Sequence, residues 1–84
     1  MTTHELKTWP QYFAATDEGR KTVEVRRNDR DFRVGDLLVL MEYEPRQRSY
    51  SGRRLVRMVT EVHDLAAIGL PGFVAMAIRE ARKA

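Results

Sequence analysis

The sequence predicts a small α+β domain, antiparallel and barrel-like, in the order β-α-β-β-β-β. Three observations carry that expectation. The chain has 84 residues, room for one core, and surface scaling lets such a chain bury roughly 64% of what its unfolded form exposes. Four later segments alternate apolar and polar residues, or run apolar on both faces, at strand length. One stretch, opening at Thr8-Trp9-Pro10-Gln11, carries helix-start chemistry.

The elements follow in order. Residues 4–7 form a short extended segment. Thr8 is expected to cap the helix, with Gln11 at the reciprocal capping position and Pro10 in the first turn, where its missing N–H costs nothing. Trp9, Tyr12, Phe13 and Thr16 share one helical face, expected to pack on the core. Gly19 stops the helix. Asp17 and Glu18 oppose the helix dipole there, and Arg20 and Lys21 offset them.

Residues 22–27 alternate as a strand, with Val23 and Val25 on one face and Thr22, Glu24 and Arg26 on the other. Asn28-Asp29-Arg30-Asp31 and Val34-Gly35-Asp36 read as turns. Residues 37–44 are apolar on both faces at their start, as a strand inside a small barrel would be. Tyr43 follows Leu37, Val39 and Met41 towards the core. Residues 45–52 read as a long hairpin loop. Residues 54–63 alternate again, Val56, Met58 and Val62 against Arg57, Glu61 and His63. Residues 64–72 are a connection broken by Pro71-Gly72. Residues 73–79 suit either helix or strand; a strand is chosen because the core is thin without it. The tail, 80–84, reads as frayed or a helical turn. No linker, repeat or low-complexity stretch divides the chain, so one domain over 1–84 is expected.

Composition excludes several function classes. Cysteine is absent, which removes thiolate zinc sites, disulfide frameworks and thiol nucleophiles. His4 and His63 are the only histidines and lie far apart, so no metal and no cofactor are expected. There is no Walker loop and no glycine-rich dinucleotide unit. Apolar runs such as 37–41 are far short of a membrane span, and the opening MTTHELK has no signal core. A soluble, cytoplasmic protein without a membrane partner is the expectation. Met41, Met58 and Met76 read as core filler.

Charge is unevenly placed. The net charge is +3, but residues 46–57 hold Arg46, Arg48, Arg53, Arg54 and Arg57 with no acid, and 12 of the 15 cations are arginine. The planar guanidinium fork suits phosphate and stacks on bases, so the bias favours an anionic partner. The plainer alternative is a solvated hairpin whose arginines pair with Glu42, Glu44 and Glu61. Arg79, Arg82 and Lys83 either extend the basic surface or keep the tail soluble. Tyr50 lies within the basic hairpin, available for stacking. Trp9 either stacks a base at a cleft rim or belongs to the core.

The segment Gly19-Arg20-Lys21-Thr22-Val23-Glu24-Val25-Arg26 joins a helix end to a strand. Glu24 and Arg26, two apart, share a strand face. If that face lines a cleft, an acceptor, a donor fork and an ammonium from Lys21 or Lys7 converge there, a set suited to a base edge or a phosphate. The alternative is a surface ion pair worth about 0–1 kcal/mol. Lys21 has the opposite strand parity, so it reaches the same cleft only if the chain is still turning at that point.

G-R-K-T-V-E-V-R resembles the G-x-K-x-x-E-x-R signature of the ASCH domains, a branch of the PUA-like superfamily. His4-Glu5-Leu6-Lys7, Trp9-Pro10-x-Tyr12-Phe13, Asn28-Asp29-Arg30-x-Phe32, Val34-Gly35-Asp36, Glu42-Tyr43 and Tyr50-Ser51-Gly52-Arg53 extend the resemblance to the short bacterial and phage subgroup called DUF3850. The resemblance covers residues 4–79. It implies a small β-barrel with a helix over a cleft, and recognition of RNA or modified nucleotides. It places Gly19, Lys21, Glu24 and Arg26 in the signature, with His4 and Lys7 on the neighbouring first strand.

Three readings follow. The first is a nucleic-acid module, RNA foremost, using His4, Lys7, Trp9, Lys21, Glu24 and Arg26 in the cleft and Arg46, Arg48, Tyr50, Arg53 and Arg54 at its rim. The second is a small hydrolase acting on nucleosides or RNA, with Lys21 and Glu24 catalytic. ASCH-like amidohydrolases of acylated cytidine pair a lysine with a threonine three residues later, and Glu24 stands at that position here. The third is a phage or mobile-element module that binds a protein partner, suggested by the segregated charge and by the aromatics.

Overall fold

The computed structural model describes residues 1–81. Its elements are β1 (Thr3–Thr8), α1 (Pro10–Asp17), β2 (Val23–Arg27), β3 (Leu37–Glu44), β4 (Ser49–Asp64), a 3-10 turn (Ala66–Ile68) and β5 (Phe73–Glu80). The order is the one expected. The five strands make one curled sheet, a half-barrel, in the spatial order β1-β3-β4-β5-β2. Among the described residues no helix is long and apolar enough to cross a membrane.

The sheet is mixed, not wholly antiparallel. β1 runs parallel to β3, Leu6 beside Leu40, while the other three pairings are antiparallel. A parallel neighbour needs a crossover connection, and α1 with β2 supplies one. The concave face carries the core: Leu6, Phe32, Leu38, Leu40, Val59, Val74, Met76 and Ile78. Burying each such side chain contributes about 1.5–3 kcal/mol. α1 lies on this side of the sheet, where Arg57 reaches the Thr16 carbonyl, and buries Phe13, 1% exposed.

Several expectations needed correction, each for a local reason. Thr8 does not cap α1. It stays in β1 opposite Glu42, and its hydroxyl donates to the Leu6 carbonyl at 3.3 Å. The cap position falls to Trp9, without a side-chain cap bond, although Pro10 does open the helix. The helical face also splits: Phe13 and Thr16 are buried, while Trp9 and Tyr12 are exposed. In β3 the core residues are Leu38 and Leu40; Tyr43, with Leu37, Val39 and Met41, is only half-buried.

In β4 the inward side is Leu55, Arg57 and Val59, so Val56 and Met58 point outward. Val59 pairs with Ile78 and Glu61 with Ala77, leaving Thr60 as an extra residue that switches parity and turns Val62 inward. Arg57 tolerates burial because its guanidinium donates to the carbonyls of Val56 at 3.0 Å and Thr16 at 3.3 Å. The hairpin 45–52 is no long loop: β3 runs to Glu44 and β4 starts at Ser49. Met41 pairs with Arg54 and Tyr43 with Tyr50, so β4 bulges around Gly52, where φ is +92°. β5 extends through Glu80, so the tail reading fails for that residue. Arg82 and Lys83 lie outside the described residues.

Candidate functional site

The sheet does not close into a full barrel. β1 pairs only with β3 and β2 only with β5, so two strand edges face each other across a seam. Ile78 N–H donates to the Thr22 carbonyl at 3.0 Å. By alternation Glu24 and Arg26 also turn their backbone groups towards β5, and Val23, Val25 and Arg27 turn theirs to the open edge. Leu37 N–H donates to the Thr2 carbonyl at 2.9 Å. The same alternation leaves the backbone groups of Glu5 and Lys7 on the free edge of β1.

Arginine side chains bridge this seam. The Arg26 terminal nitrogen Nη2 donates to the Lys7 carbonyl at 3.0 Å and approaches the Thr8 hydroxyl at 3.4 Å. Arg30 Nη1 donates to the Glu5 carbonyl at 2.5 Å. Beside these bridges opens a cleft of about 620 Å³. Lys21, Glu24 and Arg26 form its polar side, Val23 and Val25 an apolar wall, and Lys7 and Thr8 the β1 margin; Trp9 and Tyr12 lean in from the start of the helix.

Glu24 is the centre of the polar side. It is 2% exposed and carries an ion pair on each oxygen. Lys21 Nζ binds Oε1, and Arg26 Nε donates to Oε2 at 2.8 Å. A buried carboxylate survives when charged partners satisfy it on both sides. Strand parity would put Lys21 on the other face, but β2 begins only at Val23. Gly19, at φ +81°, has just reversed the chain, so Lys21 is still in the turn and reaches the cleft. Its Nζ also donates to the Val23 carbonyl at 2.6 Å.

This arrangement defines what the cleft offers a ligand. Lys21 has three donors and uses two, leaving one. Arg26 Nη1 has no protein hydrogen bond among the described residues. Glu24 is engaged on both oxygens, so its role is to hold the two cations in place. The cleft therefore presents spare donors and a net positive charge next to two exposed aromatic rings, Trp9 at 47% and Tyr12 at 52%.

Not all expected site residues meet here. Lys7, Trp9, Lys21, Glu24 and Arg26 line the cleft. His4 does not: it is buried at 7% exposure, its Nε2 lies 2.8 Å from Asp36 Oδ2, and its ring meets Phe32 edge-on at 4.7 Å. His4 faces the core because β1 turns its even-numbered residues inward. The ionised carboxylate can only accept, so Nε2 carries the proton. Burial works against the Asp36 charge. The His4 bond and the backbone N–H groups of Thr2 and Arg33 outweigh it, and the pKa of Asp36 falls below the usual carboxylate value.

Arg46, Arg48, Tyr50, Arg53 and Arg54 do not line the cleft either. Cross-strand pairing carries their hairpin away from the seam, and two of its arginines are paired. Arg53 lies 3.5 Å from Asp17 and 3.7 Å from Glu42, and Arg54 lies 3.0 Å from Glu5. Of the acids expected to neutralise the hairpin, Glu42 does so. Glu44 accepts the Arg46 backbone N–H at 3.0 Å, and Glu61 pairs with His63 at 2.7 Å. Sequence reasoning missed Tyr12, Val23 and Val25 as cleft residues, having assigned Tyr12 to the core. The available signal was the spacing of Trp9 and Tyr12, one turn apart on the helix.

Comparison with known proteins gives the lineage. A family model described as "Domain of unknown function (DUF3850)" matches residues 3–78. The "Uncharacterized 12.9 kDa protein in GpA 3'region" of Escherichia phage P2 is 38% identical over 63 residues, 75% of this chain and 56% of that protein. The chain thus matches little more than half the length of that relative. The crystal structure of hypothetical protein PH0355 has a TM-score of 0.61 at 18% identity, covering 96% of this chain and 100% of that one. At that identity the likeness concerns the fold alone. The ordered motifs from residue 4 to the last strand, the family match across 3–78 and the phage relative agree: the chain belongs to the DUF3850 family.

Proposed function

We propose that this protein is an ASCH-type, PUA-like nucleic-acid binding module, and that its seam cleft receives a base and phosphate of RNA or another single strand. The observation that carries the reading is the pairing of two exposed rings, Trp9 and Tyr12, with a partly sheltered cationic set, Lys21 and Arg26, in one cleft. Stacking on such rings contributes about 1–3 kcal/mol per base, and the cations supply the salt-sensitive part of the affinity. Neither Lys21 nor Arg26 is neutralised fully, because they share one carboxylate. A cytoplasmic location belongs to the same proposal. The hydrolase reading has less support, since Glu24 replaces the threonine of the amidohydrolase pattern and is held by two cations.

The test uses the protein's own reporter. Trp9 is its one tryptophan, so its fluorescence reads occupancy of the cleft directly. Titration with single-stranded RNA, single-stranded DNA and duplex DNA at low salt is expected to quench it with the single strands, with affinity falling log-linearly as salt rises. Unchanged fluorescence together with no binding of any of the three at low salt rejects the reading.

A further inference from the structure

We infer that the ligand is a single strand several nucleotides long that leaves the cleft over Lys7, crosses the convex face of the sheet and ends at the β3–β4 turn. The inference rests on the cleft reading above and extends it from a point to a path. Lys7 is the junction: it lines the cleft, and its ammonium lies 4.1 Å over the Tyr43 ring. Tyr43 in turn meets Tyr50 edge-to-face, with centroids 4.9 Å apart at 66°. The two tyrosines are cross-strand partners, and Tyr50 remains 51% exposed. Contact therefore runs unbroken from the cleft margin to the hairpin, a cation followed by two aromatic rings, the kinds of group that a stacking platform for a flexible phosphate backbone combines.

The charges of the hairpin point along the same path. Its helix-side arginine is neutralised: Arg53 by Asp17 and Glu42. Arg54 on the convex face is neutralised by Glu5. Arg46 and Arg48, in the turn next to Tyr50, have no carboxylate within 4.0 Å of their guanidinium groups among the described residues. The unpaired cations of the hairpin thus sit at the far end of the Lys7–Tyr43–Tyr50 line. A mononucleotide in the cleft uses none of them.

Binding by length tests this. Cytidine 5'-monophosphate and oligocytidylates of two to eight residues, in ribose and deoxyribose forms, are titrated against Trp9 fluorescence and by calorimetry. Affinity is expected to climb with length and level off at roughly 4–6 nucleotides, the low end of the range for a domain this small. Tyr50→Ala is expected to weaken the octamer roughly tenfold and leave the monophosphate unchanged. Arg46→Gln and Arg48→Gln should each flatten the octamer's salt slope by about 0.7. Circular dichroism establishes that each variant is folded; all three positions are exposed. If the octamer binds no tighter than the monophosphate, or is indifferent to all three variants, the path is overturned and the cleft reading stands. An octamer sensitive to Tyr50→Ala that never perturbs Trp9 overturns the continuity between hairpin and cleft. If neither monophosphate nor octamer binds, the cleft reading falls and the path with it.

Discussion

Arg26 of β2 and Lys7 of β1 meet across a gap that no backbone ladder closes, the guanidinium donating to the Lys7 carbonyl at 3.0 Å. One side chain therefore does two things. It ties the edges of the half-barrel together, and its Nε holds the Glu24 carboxylate at 2.8 Å.

Arg26→Ala removes both. Glu24 keeps Lys21 but loses half its charge compensation inside the fold. The expected loss is about 1–3 kcal/mol, below the 3–5 kcal/mol for breaking a fully buried pair, because Arg26 is partly solvated. For a domain of this size each kcal/mol corresponds to roughly 4–8 °C in Tm. Thermal unfolding checks it. Arg26→Lys keeps the charge but not the fork, so it should fall between the two.

Glu24→Gln separates stability from binding. The isostere leaves Lys21 and Arg26 side by side without their shared anion, so the protein should lose roughly 1–3 kcal/mol. The cleft becomes more positive, so its affinity for a nucleoside phosphate at low salt should rise. Urea unfolding and a phosphate titration on the same preparation read the opposite signs. A variant that loses both would show that Glu24 shapes the cleft for the ligand as well as holding the cations.

Trp9→Ala should do the reverse. With half its surface already in solvent, its removal should cost little stability, within about 1 kcal/mol. The loss of a stacking ring should weaken single-strand binding roughly tenfold. Because the reporter is lost with the residue, calorimetry is the measurement.

Acid stability follows from Asp36. Its folded pKa lies below the unfolded value of about 3.9. The stabilisation is thus fully present above that unfolded value and is lost as pH falls through the folded one. Asp36→Asn should lower stability at neutral pH and flatten the dependence below about pH 4, read by urea midpoints at each pH. An acid limb as steep as in the parent chain would assign the effect to other carboxylates.

Gly19→Ala tests the turn that delivers Lys21. Nothing lies within 4 Å of where the new Cβ would sit, so the cost is the positive φ alone, +81°. That amounts to about 1–2 kcal/mol. If the backbone relaxes instead, Lys21 shifts away from Glu24, and single-strand affinity should fall alongside Tm.

Much of this was legible in the residues. Element order followed from alternation and turn chemistry, and the shared face of Glu24 and Arg26 followed from their spacing. The direction of that face did not. Hydropathy alone sends Val23 and Val25 inward, yet they stand exposed at 44% and 55%, while Glu24 is buried. What reverses the rule is the pair of cations, one from a turn and one from the strand, and only the fold brings them onto a single carboxylate. The parity of β4 was hidden in the same way, because the extra residue at Thr60 is visible only against Ile78 and Ala77. The hairpin's arginines looked like a rim because sequence gives charge without direction; Glu42 was the one partner it named correctly, while Asp17 and Glu5 become partners only through long-range pairing.

The missing backbone ladder between β1 and β2 also means that the slot between them is spaced by arginine reach rather than by the regular interval of a sheet. Exchanging Arg26 or Arg30 for a shorter side chain would therefore reset the aperture while every strand kept its neighbour. If the proposed ligand binding holds, the size of ligand admitted is expected to change with single substitutions at these two positions.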